Sequence, residues 1–84
     1  MPYAVFLKRS AERELESLPK PAHDRIVDRL LGLKQSPRPV GTKKLRGRDA
    51  YRLRAGNHRI LYTVDDRRRK VEVVSIADRR EVYR

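Results

Sequence analysis

Between Lys43 and Arg59 the chain carries seven lysines and arginines and a single acid, Asp49. Within that stretch, Tyr51-Arg52-Leu53-Arg54-Ala55 alternates apolar and basic residues, and Arg59 follows a Gly56-Asn57 dipeptide. A guanidinium group is planar, permanently charged and forked, so it grips a phosphate with two parallel hydrogen bonds. The same permanence makes it a poor general base. Clustered arginines can therefore orient a phosphate and stabilise charge that develops on it, but a proton must be removed by something else.

A β-hairpin positions these groups. Alternate residues of a strand share a face, so Tyr51, Leu53 and Ala55 point one way, and Arg52 and Arg54 the other. Gly56-Asn57 suits a tight turn that needs positive φ. The return strand, Arg59 to Val64, puts Ile60, Tyr62 and Val64 on the apolar side and Arg59 on the basic side. One face of the hairpin seats on a core; the other presents three guanidinium groups. The remaining basic residues of the stretch, Lys43, Lys44, Arg46 and Arg48, extend this surface as phosphate contacts.

The rest of the chain supplies the support. Tyr3 to Leu7 predicts a short strand, apolar on both faces and hence covered on both. Ser10 has the character of a helix N-cap, and Glu12 and Glu14 suit the positive end of the helix dipole. Ala11, Leu15 and Leu18 form one helical stripe, and Pro19 ends it. Pro21 opens a second helix, in which Ala22, Ile26, Leu30 and Leu33 make a stripe that Val27 and Leu31 widen. His23 belongs to its solvated face. Ser36 to Gly47 is a loop by its proline and glycine content. Asp65 to Arg68 is a polar turn whose charges are solvated, and Val71 to Ala77 is a β-branched strand. Tyr51 and Tyr62 are assigned to the core. The expectation is one α+β domain over residues 1–84, ordered β-α-α-β-β-β. A helical hairpin packs on one face of a mainly antiparallel four-stranded sheet.

Composition narrows the chemistry. In 84 residues the charged fraction is 39% and the net charge is +11, which favours a polyanionic partner, nucleic acid first. The charge is uneven: residues 36–60 hold eight basic groups and one acid, whereas each flanking segment nets only +2. There is no cysteine to act as nucleophile, ligand or staple. His23 and His58 stand apart from each other and from any carboxylate cluster, so neither a metal site nor a cofactor site is readable. Apolar runs are too short for a membrane span, and the N-terminus lacks a signal-peptide core. The expectation is a cytoplasmic protein.

Four pieces follow the helical hairpin in order: Lys44-Leu45-Arg46-Gly47, Tyr51-Arg52-Leu53-Arg54, Gly56-Asn57-His58-Arg59-Ile60-Leu61-Tyr62, and Ile76-Ala77-Asp78-Arg79-Arg80-Glu81-Val82-Tyr83. Together they resemble the RelE/ParE superfamily of toxin–antitoxin toxins, on the RelE side, over nearly the whole chain. The resemblance implies a ribosome-dependent endoribonuclease that cuts mRNA in the ribosomal A site, with ribosome and mRNA as partners. It also implies a cognate antitoxin as partner in a hetero-oligomer. By position it implies catalytic roles for Arg54, Arg59, Arg79 and Tyr83. It implies RNA contacts for Lys43, Lys44, Arg46, Arg48, Arg52 and Arg80. Two departures matter. Relatives often have lysine at positions like Arg52 and Arg54, and His or Lys where Asp78 stands. Asp78 is left either as a proton acceptor or as an ion-pair partner of nearby arginines. Tyr83 is left to orient the 2′-OH, to stack on a base, or to close the core. The alternatives in function are a ParE-like inhibitor of DNA gyrase and a non-catalytic nucleic-acid- or antitoxin-binding protein on the same fold.

Overall fold

The computed structural model describes residues 2–47 and 49–78. Strand β1 (Ala4–Leu7) leads into helices α1 (Arg9–Glu16) and α2 (Lys20–Gln35). Strands β2 (Lys43–Lys44), β3 (Ala50–Ala55), β4 (His58–Asp65) and β5 (Lys70–Asp78) follow. The sheet order is β1-β5-β4-β3-β2. Strands β2 to β5 form an antiparallel meander, and β1 closes the other edge parallel to β5. Both helices cover one face of the sheet. The class is the one expected, with a fifth strand: Lys43–Lys44, read from composition as loop, pairs with Arg52 and Tyr51. Two residues are too few to show a period, so only the neighbouring strand defines this one.

The core follows the two periodicities. On α2, Ile26, Leu30 and Leu33 are buried at i, i+4 and i+7, against Leu53, Ile60, Tyr62, Val71, Val73 and Ile76 of the sheet. Leu15 and Leu18 pack on the margin of this cluster. Fully burying each large apolar side chain contributes about 1.5–3 kcal/mol, and the α2 stripe is the main lid over the sheet. Leu31 lies outside the stripe, half exposed.

Two local expectations are corrected. Lys8, not Ser10, precedes the first turn of α1, and no side chain caps it. The Lys8 N–H instead donates to the Val73 carbonyl at 2.9 Å, and Ser10 Oγ donates to the Val74 carbonyl at 3.3 Å. The helix start is thus tied to β5 directly. Strand β1 is covered on one side only. Tyr3, Val5 and Leu7 pack inward, whereas Phe6 is 51% exposed on the open face, over which the described residues form no second layer.

At the β3–β4 turn, Gly56 has φ +63, and a Cβ there would run into the Arg25 guanidinium of α2. The turn therefore favours glycine for its positive φ, while the exposed Arg25 side chain could swing aside. In β5 the register shifts by one residue opposite Leu61/Tyr62, so Val74 is the extra residue of a bulge. A bulge reverses which residues face which side. Beyond it Ile76 and Asp78, not Ser75 and Ala77, share the helix-covered face.

Candidate anion site on the open face

The open face of the sheet carries the arginines, as the alternation predicts. Arg54 pairs across from Arg59, and Arg52 lies between Lys43 on β2 and Leu61 on β4. Residues paired directly across strands point the same way, so these four cations share one side. With Gly41 they line a cavity of about 370 Å³. Arg54 is exposed, Arg52 is half-buried, and Arg59 is only 4% exposed, on the cavity floor. A desolvated guanidinium interacts more strongly with an anion than a solvated one, because the surrounding dielectric is lower. The arrangement suits a phosphate diester or a short run of phosphates, and it offers charge stabilisation rather than proton abstraction.

Other candidate residues are placed differently. Lys44 pairs across from Tyr51, on the other side of the pleat from the arginines, and lies 3.9 Å from Asp49. Arg46 is exposed in the turn before β3. Asp78 pairs across from His58 and lines a separate cavity of about 460 Å³ on the helix side, with Glu14, Ser17 and Leu18. On β5 the residue that pairs with Arg59 is Ala77. The bulge at Val74 therefore sets Asp78 on the opposite face from Arg54 and Arg59. Arg48, Arg79, Arg80 and Tyr83 lie outside the described residues. Among the described residues, no group of three or more His, Asp or Glu side chains is arranged to hold a metal.

A second polar group lies in the connection that leads into β2. Arg38, in the connection from α2 to β2, donates from Nη1 and Nη2 to the two carboxylate oxygens of Asp66 at 3.1 and 2.8 Å. Its Nε donates to the Tyr51 hydroxyl at 3.0 Å, and its guanidinium lies 4.9 Å from the centroid of that ring. Tyr3 donates to the same carboxylate at 2.6 Å. These bonds hold the Asp66 carboxyl down at about 2, first through Arg38 and then through Tyr3. They raise Arg38 above the ordinary arginine value. The carboxylate acceptor raises the Tyr3 phenol. Beside them the buried Tyr62 stacks on Tyr51 at 5.8 Å between centroids, and its hydroxyl donates to the Pro37 carbonyl at 2.8 Å. Burial raises the Tyr62 phenol. Tyr51 and Tyr62 both face the core side, as expected: Tyr62 is buried in the core and Tyr51 packs half-buried on its margin. Arg38 carried no signal beyond its Pro-Arg-Pro setting, since its partner Asp66 is 28 residues away.

Comparison with known proteins bears on what this site serves. A family model described as the ParE toxin of the type II toxin–antitoxin system, parDE, matches residues 5–83. Toxin RelE of Mycobacterium tuberculosis is 34% identical over 99% of this chain and 88% of its own length. Toxin RelG of the same organism is 34% identical over 100% of this chain and 99% of its own. Among solved structures, the archaeal RelE–RelB complex from Pyrococcus horikoshii OT3 superposes with a TM-score of 0.86 at 28% identity. The superposition covers 94% of this chain and 97% of that one. The toxin in the intact E. coli RelBE toxin–antitoxin complex superposes at 0.77 with 29% identity, over 90% and 95% of the two chains.

Proposed function

This chain belongs to the RelE/ParE family of type II toxin–antitoxin toxins, and we propose that it acts as a ribosome-dependent mRNA endoribonuclease. One observation carries the reading: Lys43, Arg52, Arg54 and Arg59 converge on a single cavity on the open face. In the proposed reaction the 2′-oxygen of a nucleotide attacks the adjacent phosphorus and the bond to the 5′-oxygen breaks. A cyclic phosphate and a free 5′-hydroxyl result. Arg54 and Arg59 stabilise the added charge on the phosphorane, while Lys43 and Arg52 hold the flanking backbone. The proton leaving the 2′-OH goes to Tyr83 or to a group of the ribosome or mRNA, and the 5′-oxygen is protonated as it departs. Arg79 and Tyr83 are assigned to the scissile phosphate and the 2′-OH by the family pattern. Asp78, on the helix-covered face, is the weaker acceptor candidate. Arginine cannot serve as the base, so most of the rate comes from orientation and charge stabilisation.

The relatives solved as complexes with RelB point to a cognate antitoxin as the physiological partner of this chain as well. An acidic segment that folds on binding fits a toxin of net charge +11.

The test is single-turnover cleavage on programmed ribosomes with Arg59→Ala, Tyr83→Phe and Asp78→Asn. Loss of one preorganised donor lowers the chemical step by about 10²–10³, and that is the expected effect of Arg59→Ala, with binding retained. Silence of Tyr83→Phe together with inactivity of Asp78→Asn would transfer the base role to the carboxylate. Wild-type cleavage by all three variants would remove the site from this cavity. The match to the ParE toxin family model favours a second reading, inhibition of DNA gyrase. Induction that triggers a DNA-damage response without mRNA cuts would establish it instead.

A further inference from the structure

Strand β2 is only two residues long, and its open-face residue, Lys43, lies directly across from Arg52. Like charges directly opposite destabilise a strand pair, and so short an edge strand has little ladder to offset that. Yet β2 carries Lys43 into the cavity, and Gly41 just before it forms part of the wall. Something beyond the ladder must hold this edge against its own charge.

The hydrogen bonds of the preceding connection meet that need. The connection is anchored on the helix-covered side of the sheet. Arg38 is forked onto Asp66 and bonded to Tyr51, and the Pro37 carbonyl accepts from buried Tyr62. Thr42 bonds back to the Pro39 carbonyl at 3.0 Å, and its Oγ1 lies 3.4 Å from the Tyr62 hydroxyl. The chain then rounds the edge of the sheet, and Lys43 emerges on the open face. We infer that Arg38 is a positioning residue: its fork onto Asp66 holds β2 in place, so that Lys43 and Gly41 complete the anion cavity before any anion arrives. The inference rests on the open-face cavity being the anion site proposed above. It predicts that the fork and a bound anion are interchangeable supports, since an anion between Lys43 and Arg52 removes the repulsion that opens the edge.

The experiment is amide hydrogen exchange in the full chain, without ribosomes or RNA. The reporter is the Leu45 N–H, which bonds the Ala50 carbonyl at 2.8 Å just beyond β2; the reference is the Ile60 amide in the core strand β4. In Arg38→Ala, Leu45 exchange is expected to accelerate roughly tenfold, the factor carried by one charged hydrogen bond, while Ile60 stays near its wild-type rate. Asp66→Asn, a milder change at a side chain that is 57% exposed, should shift Leu45 in the same direction. Inorganic pyrophosphate should slow Leu45 exchange in Arg38→Ala back toward the wild-type rate, and should do so much less in Arg38→Ala/Lys43→Ala. Equal acceleration of Leu45 and Ile60 would make Arg38 a general stabiliser and overturn the inference. So would an unchanged Leu45 rate in both variants, or exchange indifferent to pyrophosphate. Absence of mRNA cleavage by the wild type would refute the endoribonuclease reading and leave these exchange outcomes untouched.

Discussion

Salt dependence separates a defined anion site from mere net charge, and Arg54→Ala is the sharpest perturbation. Four cations line the cavity. If each meets one phosphate of a single strand, with a slope of about 0.7 per contact, they contribute about 2.8 to the dependence of log affinity on log salt. A fourfold rise in salt then weakens this part of binding about 50-fold. Removing Arg54 leaves about 2.1, and the same rise in salt weakens binding only about 20-fold. Arg54 is exposed, opposite Arg59 on the open face, so the variant should keep its melting temperature. The assay is equilibrium binding of labelled protein to ribosomes programmed with a message carrying a 2′-deoxy nucleotide at the cut, titrated from low to moderate salt. The paired control is Arg67→Ala/Arg68→Ala, at the exposed β4–β5 turn, where Arg68 already neighbours Asp65. Arg54→Ala should lower the slope by about 0.7, and the double variant should change it less. Equal reductions from both would show that total charge, and not this cavity, governs binding.

Leu30, 7% exposed at the centre of the α2 stripe, should lose about 2–5 kcal/mol of stability as Leu30→Ala; urea unfolding measures it, and a change under 1 kcal/mol would refute its place as the lid of the core. The lowered pKa of Asp66 makes the Arg38 fork acid-sensitive. Its stabilisation is complete above the ordinary carboxylate range and is lost as pH falls toward about 2. The melting-temperature gap between wild type and Asp66→Asn should therefore be constant near neutrality and close in acid; a gap independent of pH would rule the linkage out. Deleting residues 79–84 removes Arg79, Arg80 and Tyr83 and should abolish toxicity while the domain still melts cooperatively; retained toxicity would exclude an active tail.

Local periodicity was enough to make much of this protein readable from its sequence. The alternation from Tyr51 to Val64 separated Leu53, Ile60 and Tyr62 from Arg52, Arg54 and Arg59, and the structure keeps them on opposite faces. The α2 stripe was legible because a buried helix face repeats every three to four residues. The charge surplus of residues 36–60 marked the stretch whose Lys43, Arg52, Arg54 and Arg59 line one cavity in the fold. What the sequence left undetermined depends on interactions between distant segments or on a break in a period. Strand β2 exists because Arg52 and Tyr51 offer it an edge. Arg38 and Asp66 meet only when the α2–β2 connection and the β4–β5 turn reach the same end of the sheet. Asp78 shows the limit most clearly. Strict alternation from Val71 would turn it away from the helices, but the extra residue at Val74 reverses the pleat and turns it toward them. A bulge is decided by how two strands fit around a core, so it leaves no trace in the pattern of one strand alone.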